Sequence, residues 1–142
     1  MKHLLPLLFL FTVVSCGDDS YQYTESIVGE WTAKALKIKG KSYSMEKTKF
    51  ILTFNEDLTY SLDSKLTKIA NDYFFESIPF RGEGTFKGDY AVVSDNMIRI
   101  KEKYRDKIPL YPSIKNDELT LMYISRDNTK IIITLTKTPE NE

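Results

Sequence analysis

The sequence predicts an all-β protein built as an antiparallel up-and-down barrel of about seven to eight strands. Three observations carry that expectation. Apolar and polar residues alternate with a period of two in one short segment after another, as in strands with one buried face. The segments are separated by clusters of Asn, Asp, Ser and Glu that favour turns. No sustained helical periodicity interrupts them. A sheet of that many strands has to close or stack to hide its edges.

The elements follow in chain order. Met1-Lys2-His3 is a short positive start, and Leu4 to Val14 is an almost unbroken apolar run. Its length suits the apolar part of a secretory signal, about 7–15 residues, and falls short of the about 20 needed to span a bilayer. The run ends at Ser15-Cys16-Gly17-Asp18-Asp19, where the chain turns polar. Residues 16–25 read as a polar tether.

The segment from Lys49 to Phe54 places Phe50, Leu52 and Phe54 on one face. Asn55-Glu56-Asp57 supplies a turn, and Thr59-Tyr60-Ser61-Leu62 continues as the return strand. Thr85 to Val92 alternates with Phe86, Tyr90 and Val92 on one side. Ser94-Asp95-Asn96 turns the chain, and Met97 to Lys101 alternates again with Ile98 and Ile100 inward. A last pair runs from Glu118 to Ser125 and from Lys130 to Thr138 around a turn at Arg126-Asp127-Asn128, with Ile131, Ile133 and Leu135 sharing a face. Two stretches resist the scheme. Lys65 to Phe80 admits a strand extension, a short helix or a lid, and its Tyr73-Phe74-Phe75 cluster reads as core. Tyr104 to Ile114 contains Pro109 and Pro112 and reads as a loop. Gly82-Glu83-Gly84 lacks the further glycine and the helix that a phosphate loop requires, so it reads as a bulge or bend within a strand.

Two resemblances sharpen this reading. Val13-Val14-Ser15-Cys16 resembles the lipobox of bacterial lipoproteins, with valine where that class prefers leucine. The resemblance implies a signal peptide over residues 1–15, cleavage before Cys16, and acyl chains on that cysteine as the membrane anchor. Asp18-Asp19 resembles the acidic export signal of some surface lipoproteins and leans towards the outer membrane, with the periplasmic or outer face open. Secondly, Ile27-Val28-Gly29-Glu30-Trp31 resembles the opening Gly-x-Trp of lipocalins and calycin barrels. Thr53-Phe54-Asn55-Glu56-Asp57-Leu58-Thr59-Tyr60 is similar to a strand-turn-strand of lipocalin-like bacterial lipoproteins, with Leu58 where glycine is usual. Gly88-Asp89-Tyr90-Ala91-Val92, followed by Met97-Ile98-Arg99-Ile100, adds a further echo. The resemblance implies a lipocalin-like domain over residues 26–138 with a short tail at 139–142. Gly29 and Trp31 are then structural, the tryptophan lying across the closed end with a later basic residue stacked on it. Leu58 implies a turn that needs no positive φ at that position.

Composition narrows the chemistry. Charges balance at 20 basic and 20 acidic residues, and neither sign clusters along the sequence, so no nucleic-acid face is expected. The one cysteine excludes an intramolecular disulfide, and the one histidine, His3, falls within the expected signal peptide. Beyond it, imidazole acid–base chemistry, Ser-His-Asp or Cys-His triads and His/Cys metal sites have no residues to use. Glu76, Glu83 and Asp89 lie near one another in sequence, but they read as solvated outer-face charges. The expectation is therefore no enzyme, no cofactor and no metal. Two functions remain. A barrel of this size can hold one small apolar or amphipathic ligand, and Ala33 and Ala35 beside Trp31 would leave room inside, although no ligand residues can be named. Otherwise the domain is a packed interaction module or inhibitor that meets a protein partner at the envelope.

Overall fold

The computed structural model describes residues 26–66, 82–101 and 108–139. Within them the chain forms nine strands. These are β1 (Gly29–Ile38), β2 (Lys41–Ser44), β3 (Phe50–Phe54), β4 (Thr59–Leu66), β5 (Gly82–Ser94), β6 (Met97–Lys101), β7 (Ile108–Lys115), β8 (Glu118–Ile124) and β9 (Lys130–Lys137). Every pairing is antiparallel. The sheet runs β1-β3-β4-β5-β6-β7-β8-β9, and β9 pairs back onto β1, which closes an eight-stranded barrel. The extra strand, β2, shares an edge of β1 with β3. It covers Ala35–Ile38, while β3 covers Gly29–Thr32.

The barrel is tilted. Following the register once around returns to β1 about twelve residues along the strand, the kind of stagger that closure requires. Strand β5 shows how the stagger is absorbed. Its first part, Gly82 to Asp89, pairs with β4, and its last part, Asp89 to Ser94, pairs with β6. Gly84, at φ +134°, lies on the early part, in the middle of a strand rather than a phosphate loop.

Alternation places one residue in two inside. Leu52, Leu62, Ile98, Ile100, Leu119 and Leu135 are fully buried, and Trp31, Leu36, Phe54 and Tyr60 are nearly so. Three local expectations change. Ala35 does not face inward as Ala33 does. A bulge between Ala33 and Ala35 shifts the phase, so Leu36 is the next buried residue. Leu58 does adopt positive φ, at 63°. Its hairpin is a three-residue loop in which Leu58 N–H donates to Asn55 O (3.2 Å) and Asn55 N–H to Thr59 O (2.9 Å). That loop puts its last residue in the left-handed region whatever its side chain.

The third change concerns Ile108 to Ile114, which form most of strand β7 rather than a loop. The strand pairs with β6 through Ile108–Leu110 and with β8 through Tyr111–Lys115. Pro109 and Pro112 are three residues apart, so their ring nitrogens face opposite edges. Each half of β7 has one edge free of described pairing, where a missing N–H costs no ladder bond. Residues 1–25, 67–81, 102–107 and 140–142 lie outside the described set. With them go Cys16, the tether, the Tyr73-Phe74-Phe75 cluster, Glu76 and the tail beyond Pro139.

Candidate functional site

The barrel has two unlike ends. At the entry end, where β1 begins, lie the β3–β4, β5–β6 and β7–β8 turns and the end of β9. At the far end lie the β1–β2 turn, the β8–β9 loop and the ends of β4 and β5 that meet at Leu66 and Gly82.

Gly29 and Trp31 belong to the entry end. Trp31 is buried, and its indole N–H donates to the carbonyl of Ile27 at 2.8 Å, which pins the chain just before β1 across the barrel base. Lys137 lies opposite Trp31 in the β1–β9 register, and its ammonium sits 5.9 Å from the ring centroid. The same lysine explains the glycine. A Cβ at position 29 would lie 3.1 Å from Lys137 Cε, and the backbone there has φ +132°. Gly29 thus gives both the backbone conformation and the space that let the lysine reach the indole. This cluster locks one end of the barrel, and its polar groups are turned to that task.

Ser64 and Ser125 are the buried polar residues among the described set, and Ser125 is a loop residue whose hydroxyl donates to Asp127 and Thr129 O. No group of His, Cys, Asp or Glu able to hold a metal occurs among the described residues. Glu83 and Asp89 lie exposed on the outer face of β5, opposite Lys65 and Lys101.

The shifted titrations belong to turns. Thr59 donates to Asp57 from its hydroxyl and its N–H, at 2.6 and 3.1 Å, and this holds the carboxyl below its ordinary value. Asp127 is lowered in the same way by hydrogen bonds from Ser125 and Thr129, with a smaller contribution from the charge of Lys39. Burial, helped by the charge of Asp57, raises the Tyr90 phenol above 10.0. Its O–H donates to Asn55 O at 2.9 Å, and its ring meets Phe54 edge-on at 5.0 Å. These groups fasten the β3–β4 turn to β5.

What the linear sequence did not show is a sorting of charge. Among the described residues, the entry end carries Glu30, Glu56, Asp57, Asp95, Asp117 and Glu118 against Lys115, Lys137 and Lys34, whose ammonium lies 3.9 Å from the Glu118 carboxylate. Towards the far end lie Lys37, Lys39, Lys41, Lys65, Arg126 and Lys130, with Glu83 and Asp127 as counter-charges and the Lys49–Asp63 ion pair between them. No signal in the chain could have shown this, because it depends on which turns share an end. In comparisons with known proteins, no family model, no curated protein and no solved structure matches the chain.

Proposed function

We propose that the chain is an exported lipoprotein, acylated on Cys16, whose barrel is a rigid interaction module meeting a protein partner at the cell envelope. The packing of the interior is the observation that carries the choice between the two functions left open by the sequence. Side chains around a ligand cavity keep part of their area open to whatever fills it. Here Leu52, Leu62, Ile98, Ile100, Leu119 and Leu135 keep none, and no other buried apolar residue of β3, β4, β6, β8 or β9 keeps more than the 7% of Ile133. Trp31 and Phe54 fill the entry end, and Leu36, Met45 and Phe50 fill the side covered by β2 and β3. A barrel filled in this way is a stiff frame for its turns and outer walls, which favours recognition by surface over carriage of a small apolar molecule.

The anchor rests on the lipobox resemblance and on physics. One acyl chain holds a protein only marginally, whereas two or three on one cysteine make a lasting attachment. Mass spectrometry of the protein purified from its own membranes tests both parts. The expected result is a chain beginning at Cys16 with the added mass of its acyl groups, no mass addition in Cys16→Ala, and no non-covalent lipid carried with it. An unmodified Cys16 would sink the anchor. A stoichiometric bound lipid would sink the packed-module reading and return the barrel to ligand carriage.

A further inference from the structure

On one side of the barrel the charges answer one another across the strands. Lys65 faces Glu83, Asp89 faces Lys101, and Lys49 is paired with Asp63. The opposite wall, made by β8, β9, β1 and β2, differs at its far end. On its outer face Lys37 stands between Ser42 and Ile132, and Lys130 stands opposite Ile124. Arg126 and Lys39 extend this set from the neighbouring loops. Asp127 is the acid of the β8–β9 loop, and its carboxylate is held by Ser125 and Thr129.

The same wall breaks the rule of apolar inside and polar outside. Met122 and Ile132 are direct register partners on the outer face, half-buried, with Tyr111 beyond Met122 and Lys37 beyond Ile132. Ile124 is 38% exposed beside Lys130. An apolar row bordered by cations is amphipathic in the plane of the sheet.

We infer that this wall lies on an anionic bilayer surface, with Lys37, Arg126 and Lys130 against the head groups and Ile124 and Ile132 at the interface. The inference deepens the proposed anchoring and rests on it for one step only, the supply of a membrane within reach. A tether from residue 16 to 25 spans at most about 33 Å when extended. That suffices for the barrel to lie on its side while its acidic entry end is turned from the lipid. An anchored domain also meets the surface at high effective concentration, so a modest attraction orients it. In that pose the charge-balanced β4–β5 wall faces away from the membrane and is left to a protein partner.

Sedimentation with vesicles tests this on the chain from residue 16 onward carrying Cys16→Ser, which keeps all nine described strands and cannot be acylated. The expected result is binding to vesicles containing phosphatidylglycerol, none to phosphatidylcholine alone, and a steep loss with added salt. Each lysine or arginine near such a surface is worth about fivefold in affinity, so Lys37→Gln/Arg126→Gln/Lys130→Gln should weaken binding about a hundredfold. Lys65→Gln/Lys87→Gln on the other wall should leave it unchanged. Circular dichroism confirms that each variant is folded. Absence of binding to the anionic vesicles overturns the inference, as does equal loss from both sets of substitutions. Binding of soluble poly-glutamate in preference to vesicles also overturns it and assigns the wall to an acidic protein. Because no acyl group is present, failure here is separate from failure of the Cys16 anchor.

Discussion

Leu58 and Asn128 occupy the same place in two loops of one design. In the β3–β4 loop Asn55 N–H reaches Thr59 O, and in the β8–β9 loop Ser125 N–H reaches Thr129 O. In both, the third loop residue donates its N–H to the carbonyl of the residue just before the loop, Asn55 or Ser125, and takes positive φ, 63° at Leu58 and 61° at Asn128. Asparagine tolerates that conformation, whereas a leucine Cβ crowds the following carbonyl at a cost of about 1–2 kcal/mol. Leu58 is 43% exposed, so little burial offsets the strain. Leu58→Asn should therefore raise unfolding stability by about 1 kcal/mol, read as a higher urea midpoint at constant slope. The sequence marked the position, since a family resemblance puts glycine there. The inference from leucine to an unstrained turn failed because a three-residue hairpin loop sets φ from its length and hydrogen bonds, and the side chain has to follow.

At the scale of the element, β5 and β7 show where linear reading works and where it stops. The alternation that identified Thr85 to Val92 also set its buried face, because period-two patterning is local. Gly88 in that stretch is there for a non-local reason. A Cβ would come within 2.2 Å of Lys101 O and 2.9 Å of Tyr60 Cε1, where β5 leaves β4 for β6. Gly88→Ala should cost about 3 kcal/mol, the upper part of the range for overpacking, because backbone rather than a flexible side chain is in the way. Chemical denaturation measures it, and a loss below about 1 kcal/mol would mean that β6 yields. In β7, prolines argued against a strand, and that argument holds only when both edges must be paired. The strand changes partner between Pro109 and Pro112, a condition set by its neighbours and invisible in residues 108–115 themselves.

For the whole molecule, closure of β9 on β1 makes the two turns that hold lowered carboxylates part of one cooperative unit, so their titration is felt as global stability. Asp57 and Asp127 have folded values below their ordinary 3.8. Each therefore contributes stability that is present above about pH 4 and is lost as pH falls through the lower folded value. The sign reverses at the alkaline end. Tyr90 is raised above 10.0, so its contribution is full below pH 10 and fades as pH climbs towards the folded value. Thermal unfolding across pH should show both flanks. Asp57→Asn and Asp127→Asn should flatten the acid one, and Tyr90→Phe the alkaline one; an unchanged acid slope in the double variant would refute the assignment.

The sequence by itself determined the class of the fold, the inward face of most strands and the chemistry that residues after His3 cannot perform. All of these follow from local patterning or from residue inventory. It also carried the lipobox resemblance at Cys16 and the Gly29-x-Trp31 pair. Only the tertiary structure decided how Lys137 comes to cover Trp31, how tightly the inward side chains pack, and that an evenly charged chain gathers six acids at one end and sets Lys37 and Lys130 beside apolar residues on one outer wall. Those properties belong to pairs of strands up to about a hundred residues apart, brought together by the register and stagger of a closed barrel.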